Sequence, residues 1–470
     1  MKAIVIGSGL GGLECALELA RHGYEVTVLE KGRQAGGCLQ TFSREGYRFD
    51  TGFHYVGGLA PGEPLHRIFG HFGLLDLPWK QINPTCAEEI IIGEERFCLP
   101  SGIDAYIAAL SEQFPTDRAG LKDYGELLRQ VGDHIFDAFD GGQNPLLCIS
   151  ADDYLQRHFS DPMLRKVLSG STMRLHQDAA TLPLYIFAQI NGSFIRSAWK
   201  LPGGGKVIVD RLVRDIKALG GNVRTGTEVT GLRLADGKVT AVEVNGGFGN
   251  YGGSGNCNGE TLYADTIVSD AHPAATVDLL RDKGTVKEIY RRRICALKNS
   301  PGVFTANILL KEGALQLPDG QLYVHTADAD LWHPDPSRTE SVLIHTYPDA
   351  PDRLDLLSLM PLPERNASYE ASKRAKLEEC LALAERGIPG LRDAVSRVWT
   401  STPRTYLDYT GIPGGSAFGV IKDWKSPLTT LISPRTGASN LFLTGASLNL
   451  HGLLGVSMTA LMTCRTIFDA

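Results

Sequence analysis

Residues 3–30 read Ala-Ile-Val-Ile-Gly-Ser-Gly-Leu-Gly-Gly-Leu-Glu-Cys-Ala-Leu-Glu-Leu-Ala-Arg-His-Gly-Tyr-Glu-Val-Thr-Val-Leu-Glu. Ala3 to Ile6 is a continuous apolar run, the pattern of a buried parallel strand. Gly7 makes a tight turn, Gly9 lets backbone approach a pyrophosphate, and Gly12 lets the following helix pack closely on the strand. Leu13, Ala16, Leu17 and Ala20 recur at helical spacing, so the N-terminus of that helix aims its free N–H groups at phosphates. Gly23 closes the helix, Glu25 to Leu29 forms a second strand, and Glu30 ends it. A carboxylate there accepts hydrogen bonds from a ribose 2′-OH and repels a 2′-phosphate. With both strands, the helix and the acid in order, the glycine pattern specifies a dinucleotide-binding βαβ unit.

Composition excludes other classes. At 470 residues the chain is long enough for two domains with substantial cores, and a net charge of −6 leaves no electrostatic footprint for nucleic acid. Nine cysteines, an odd number without CxxC spacing, argue for reduced thiols in a cytoplasmic compartment instead of a disulfide framework. No His/Cys cluster suggests a metal site. A strand beginning at residue 3 leaves no room for a signal peptide, so the Asn-x-Ser sequons at Asn191 and Asn366 carry no meaning. The apolar stretch Leu448 to Ile467 contains Asn449, His451 and Arg465, and reads as a buried helix opening on a glycine turn, not as a membrane span. Asn245 to Gly259, rich in Gly and Asn, reads as a long surface hairpin loop.

Downstream of Glu30 come Lys31, Gly36-Gly37-Cys38, Thr41-Phe42 and Phe49-Asp50-Thr51-Gly52-Phe53-His54-Tyr55-Val56-Gly57. Near the carboxy terminus stand Leu443-Thr444-Gly445 and His451-Gly452-Leu453-Leu454-Gly455, followed by a small-residue helix to Cys464. These strings resemble the retinol saturase family, close cousins of carotenoid isomerase and phytoene desaturase within the FAD-binding superfamily that also holds amine oxidases. The resemblance spans both ends and a middle segment. One departure is that Cys38 stands where amine oxidases and many desaturases carry Arg or Lys, so a cation for the cofactor would come from Lys31 or Arg33.

The resemblance implies an α/β chain: a Rossmann-type FAD-binding domain of three ββα layers interleaved with an α+β substrate-binding domain. The FAD-binding part would comprise residues 1–60, 199–280 and 416–470, and the substrate part 61–198 and 281–415. From the residues themselves, an amphipathic helix after Gly203-Gly204-Gly205 carries Val207, Leu212, Ile216 and Leu219, and strands run from Asn222 to Leu234 with a turn at Asp236-Gly237. Ile267 to Ala271 would be the next sheet strand. FAD would be held by Gly7, Gly9, Gly11, Gly12, Glu30, Lys31, Gly36, Gly37, Val229, Gly445, Leu453, Leu454, Gly455 and Val456. Val229 would contribute backbone groups to the adenine edge, and the 452–455 turn would bring a helix N-terminus, about half a positive charge, to the flavin.

His54 and Tyr55 would lie at the reacting face, either one serving as the acid that protonates a C=C carbon. The implied substrate is a lipophilic polyene of the retinoid or carotenoid kind, with reduction ranked above desaturation and isomerisation. NAD(P)H or a quinone would act as a transient redox partner, the external donor or acceptor being open. Burying a polyene of about twenty carbons is worth on the order of 10 kcal/mol, so such a substrate stays in a bilayer, and a cytoplasmic protein would meet it at the membrane surface. Leu65 to Trp79 reads as an ordinary amphipathic core helix, or alternatively as a membrane-docking or tunnel-entrance helix. Two rival readings are a flavin amine oxidase, faintly echoed by Trp199-Lys200, and a non-catalytic isoprenoid binder of the Rab-escort type, against which the intact glycines and Glu30 argue.

Overall fold

The computed structural model describes residues 1–136, 144–175, 180–246, 259–281 and 286–469. Strand Lys2–Ile6 lies at the centre of a parallel five-stranded sheet, in the order Asn222–Arg224, Glu25–Leu29, Lys2–Ile6, Thr266–Ser269, Leu441–Leu443. Its side chains alternate between two cores, as a strand period of two demands. Ala3 and Val5 pack toward helices Leu10–Arg21, Lys206–Ala218 and Gly452–Phe468, while Ile4 and Ile6 pack toward a three-stranded antiparallel sheet through Leu232, Val242 and Val244. Both faces are covered, so the strand is apolar throughout. The result is an α/β fold with helices, parallel sheet and antiparallel sheet as successive layers.

A second, mixed sheet has seven strands in the order Val395–Ser401, Gly302–Leu310, Ala350–Met360, Ser341–Tyr347, Gln321–His325, Glu88–Ile92, Glu95–Leu99. Only the pairing of Gln321–His325 with Glu88–Ile92 is parallel. Its faces are again sorted by alternation. Ile91, Val324 and Ile344 pack toward helix Tyr369–Gly387, and Ile90, Ile92, Tyr323 and Leu343 pack toward the helices between residues 103 and 196. A small sheet of Val56–Gly57, Ala198–Lys200 and Lys80–Gln81 stitches the segment after Tyr55 to the start of the Gly203–Gly205 turn.

Several expectations need correction. Helix Pro64–Phe72 buries Leu65, Ile68, Phe69 and Phe72 in the core beside helix Leu10–Arg21, and Leu74 follows them. Its apolar face is therefore spent inside the protein, as the core-helix reading expects, and the membrane-docking alternative is the part corrected. Leu219 lies past the end of helix Lys206–Ala218 and is 48% exposed, because the turn at Gly220, with φ of 84°, swings the chain away. Cys86 and Cys98 form a disulfide with Cα atoms 5.2 Å apart, against the expectation of reduced thiols. The hairpin of Glu88–Ile92 and Glu95–Leu99 folds these residues back on each other, which spacing alone does not reveal. The strands flanking the Gly/Asn-rich stretch pair antiparallel, Lys238–Gly246 with Gly259–Leu262, and residues 247–258 themselves lie outside the described residues. Among the described residues, no helix is long and apolar enough to cross a membrane.

Candidate active site

The glycine loop has the geometry its sequence implies. Gly7, with φ of 92°, donates its N–H to the Leu29 carbonyl at 2.8 Å and so turns the chain out of the first strand beside the end of the second. A Cβ placed on Gly12 would stand 2.3 Å from the Gly7 carbonyl oxygen, so only glycine lets helix Leu10–Arg21 start this close to the strand. Gly9 caps that helix in extended conformation, with no side chain capping the first N–H groups. Those orphan donors, together with the helix dipole, form an anion cradle. Gly36 donates to the Ser8 carbonyl at 3.0 Å, and Gly37 packs against Gly9 closely enough that its Cβ would lie 3.2 Å from the Gly9 Cα.

Glu30 is buried and ties the cradle together. One carboxylate oxygen accepts from the Ser8 N–H at 3.0 Å and the Ser8 hydroxyl at 2.6 Å, and the other accepts from the Gly32 N–H at 2.7 Å. A carboxylate offers about four acceptor positions, so capacity for a ribose hydroxyl remains. The Glu30 carbonyl accepts from the Thr227 N–H, and the Gly32 carbonyl from Gly226, which brings strand Thr227–Ala235 alongside. Val229 sits half-buried on that strand opposite Val244, just before a register shift. Lys31 is exposed, and its Nζ would lie 3.0 Å from a Cβ placed on Gly411.

The carboxy-terminal turn meets the same loop. Strand Leu441–Leu443 runs into Gly445, whose backbone nitrogen would lie 3.1 Å from a Cβ on Gly11. Helix Gly452–Phe468 then begins at His451 without a side-chain cap on its first turn. Gly455 is obligatory: its Cβ would fall 2.3 Å from the Leu450 Cβ. Leu453 and Leu454 are partly buried, and Val456 is buried beneath them. The buried Lys422 ammonium donates to the carbonyls of Ser447 and Leu448 at 2.7 and 3.1 Å, fixing the approach to this turn. Two uncapped helix N-termini and a set of glycines that admit no Cβ suit a dinucleotide such as FAD. Asp270 is the exception: its carboxyl sits among Gly9, Gly11, Gly12 and Gly445.

Tyr55 and His54 fall in different surroundings. The Tyr55 hydroxyl accepts from Arg174 Nη1 at 2.7 Å, lies 2.9 Å from Glu88 Oε1 and shares a 2.6 Å hydrogen bond with Tyr323. Arg174 also pairs with Glu88, donates to Asn191 at 3.1 Å and stacks over Phe194. Burial pushes the Tyr55 phenol well above its ordinary range, more than the nearby guanidinium lowers it. The phenol therefore stays protonated. His54 packs edge-on against His345 with ring centres 5.0 Å apart, and burial pushes its imidazole down to about 4. It is neutral near pH 7 and is a poor proton donor there. The Arg174 carbonyl accepts from His451 Nε2 at 2.9 Å, so one residue links Tyr55 to the start of the last helix.

Sequence reading missed Arg174, Glu88, Tyr323, Lys422 and Asp270. The first three come from separate elements and carry no local motif. Asp270 had a signal, as an acid directly after an apolar strand, where ligands of open α/β sheets bind.

Comparisons with known proteins agree with this fold. A family model described as an NAD(P)-binding Rossmann-like domain matches residues 5–72. The all-trans-retinol 13,14-reductase of Danio rerio is 25% identical, the alignment covering 99% of this chain and 86% of the relative. Prolycopene isomerase 2 of an Oncidium hybrid cultivar is 22% identical over 99% of this chain and 83% of its own. Phytoene desaturase of Neurospora crassa is 25% identical over 95% of this chain and 81% of its own. An oxidoreductase from Methanosarcina mazei superposes over 100% of both chains with a TM-score of 0.67 at 18% identity. Cyclohexylamine oxidase from Brevibacterium oxydans superposes over 99% of both with a TM-score of 0.64 at 16% identity. At such identities these superpositions speak for the fold alone.

Proposed function

Because this chain is an enzyme of the FAD-dependent oxidoreductase family that includes all-trans-retinol 13,14-reductases, prolycopene isomerases and phytoene desaturases, we propose that it reduces a C=C bond of a lipophilic polyene. The observation that carries this reading is the match to the retinol reductases across 99% of the chain. We assign the FAD-binding part to residues 1–60, 199–280 and 416–470, and the substrate part to 61–198 and 281–415. Bound FAD would supply the two-electron chemistry. NAD(P)H or a quinone would exchange electrons with it transiently.

In this proposal the N–H groups of the Gly7–Gly12 loop hold the pyrophosphate, Glu30 orients the ribose, and the Val229 backbone meets the adenine. Gly36, Gly37 and Gly445 keep side chains out of the cofactor's path. The first turn of helix Gly452–Phe468, through Leu453, Leu454, Gly455 and Val456, presents N–H groups to the electron-rich edge of the ring. Saturating a C=C adds one hydride and one proton. Tyr55 is the proposed proton donor, since its phenol is protonated and set in a hydrogen-bonded cluster. His54 takes a positioning role, its imidazole being neutral near pH 7. The amine-oxidase alternative rests on Lys200, whose buried ammonium donates to the Asp319 carbonyl and to the Thr346 hydroxyl at 2.8 Å and so has two of its three N–H groups engaged within the protein.

The test is anaerobic incubation of the dithionite-reduced, flavin-loaded protein with all-trans-retinol, followed by chromatography and mass spectrometry. A product heavier by two hydrogens supports reduction. Isomers of unchanged mass redirect the reading to isomerisation. No conversion of retinol or lycopene isomers by the reduced protein, and none of phytoene by the oxidised protein with a quinone acceptor, rejects the polyene substrate class.

A further inference from the structure

Asp270 follows strand Thr266–Ser269, the immediate neighbour of strand Lys2–Ile6 in the parallel sheet. Its carboxyl does not turn outward. A Cβ on Gly9 would lie 2.4 Å from Asp270 Oδ2, and a Cβ on Gly11 or Gly445 would lie 2.9 or 2.5 Å from Oδ1. The Gly9 and Gly12 backbone N–H groups face it and lower its pKa. These are the donors that a glycine loop ordinarily gives to a phosphate.

We propose that Asp270 belongs to the pyrophosphate site and is neutral when the dinucleotide is bound, so that FAD binding by this protein takes up a proton. The reason is charge. A pyrophosphate and an ionised carboxyl would compete for the same N–H groups, and two like charges brought onto one glycine loop disfavour each other. The groups acting on Asp270 from neighbouring elements add to the pressure. Glu30 at the end of the second strand raises its pKa, while Glu14 and Cys15 on helix Leu10–Arg21 and the Cys38 thiol, which also face it, are raised chiefly by their own burial. Burial, the largest cause, holds Asp270 itself at about 7, which the Gly12 and Gly9 hydrogen bonds only partly offset. A protonated carboxyl can remain in place as a hydrogen-bond donor to a phosphate oxygen, as an ionised one cannot.

The inference rests on the reading that the chain holds FAD, but its test reads binding and not turnover. The FAD dissociation constant of the full chain, from flavin fluorescence on dilution of the holoprotein, is measured between pH 6 and 9. We expect it to be nearly flat at the acid end and to rise by about tenfold per pH unit above about pH 8. Asp270→Asn should flatten that rise and bind about a hundredfold tighter than the parent at pH 9, two pH units above the Asp270 value. Calorimetry of the parent in two buffers of different ionisation enthalpy, which needs no variant, should show close to one proton taken up at pH 8.5. A flavin-binding parent with pH-independent affinity and no proton uptake overturns the assignment and leaves the cofactor reading standing. An unchanged pH dependence in Asp270→Asn also overturns it. A chain that takes up no flavin at all overturns both.

Discussion

Tyr55 carries the mechanism at the scale of single residues, because its hydroxyl is the one phenol that meets Arg174, Glu88 and Tyr323 together. Replacing it with Phe keeps the ring against Phe194, 4.6 Å away, and removes the proton donor together with its hydrogen bonds to Arg174, Glu88 and Tyr323. We predict that Tyr55→Phe slows single-turnover reduction at least about tenfold, the low end for a positioned acid. An unchanged rate would take Tyr55 out of the chemistry. Glu88→Gln, by contrast, is a stability experiment. It leaves the Arg174 charge buried without its counter-ion, which costs about 3–5 kcal/mol when one partner of a buried pair is removed. Denaturant unfolding should show this as a lower midpoint, and a midpoint within error of the parent would mean that water already screens the pair.

The last helix decides cofactor retention at the scale of elements. Its start is bent tightly under Leu450, and Gly455 is where a side chain cannot go. Gly455→Ala would push the first turn off its seat and misalign its free N–H groups. We predict loss of most bound flavin, read as the ratio of flavin to protein absorbance after gel filtration. A fully loaded Gly455→Ala protein would show that this turn does not hold the cofactor. The same scale explains why the core-helix reading of Leu65 to Trp79 holds and the membrane-docking alternative does not. Its amphipathic pattern is real, but periodicity tells only that one face is apolar, never which surface covers it. Here helix Gly452–Phe468 and the core it shares with helix Leu10–Arg21 do.

Over the whole molecule, burial sets how stability responds to pH. Burial lowers Lys200 to about 8 and Lys422 to about 7, against 10.5 for an exposed lysine. Between those values the unfolded chain binds more protons than the folded one, so stability rises with pH there. Buried thiols work the other way at higher pH: Cys15 is raised well above 9.0 and Cys380 is raised to about 11. The buried carboxyls of Asp50, Asp270 and Asp355, each raised to about 7, oppose the lysines below about pH 8, so the melting temperature should climb mainly between about pH 8 and 9, by an amount equivalent to on the order of 1 kcal/mol. Lys422→Met should remove much of that slope. A melting temperature that falls steadily across this window would contradict the assignment.

The amino-terminal βαβ unit was legible in the sequence because its information is local. A glycine that must turn with positive φ, an apolar run that must be covered on both faces and an acid at a strand end all act over a few residues. The glycine before the last helix was legible for the same reason. Arg174 beside Tyr55, the Cys86–Cys98 bond and the Asp270 carboxyl among the cradle glycines were decided only in three dimensions. Each depends on chain segments far apart in sequence arriving at one point, and that arrival is set by packing of whole sheets and helices, which no short pattern of residue types encodes.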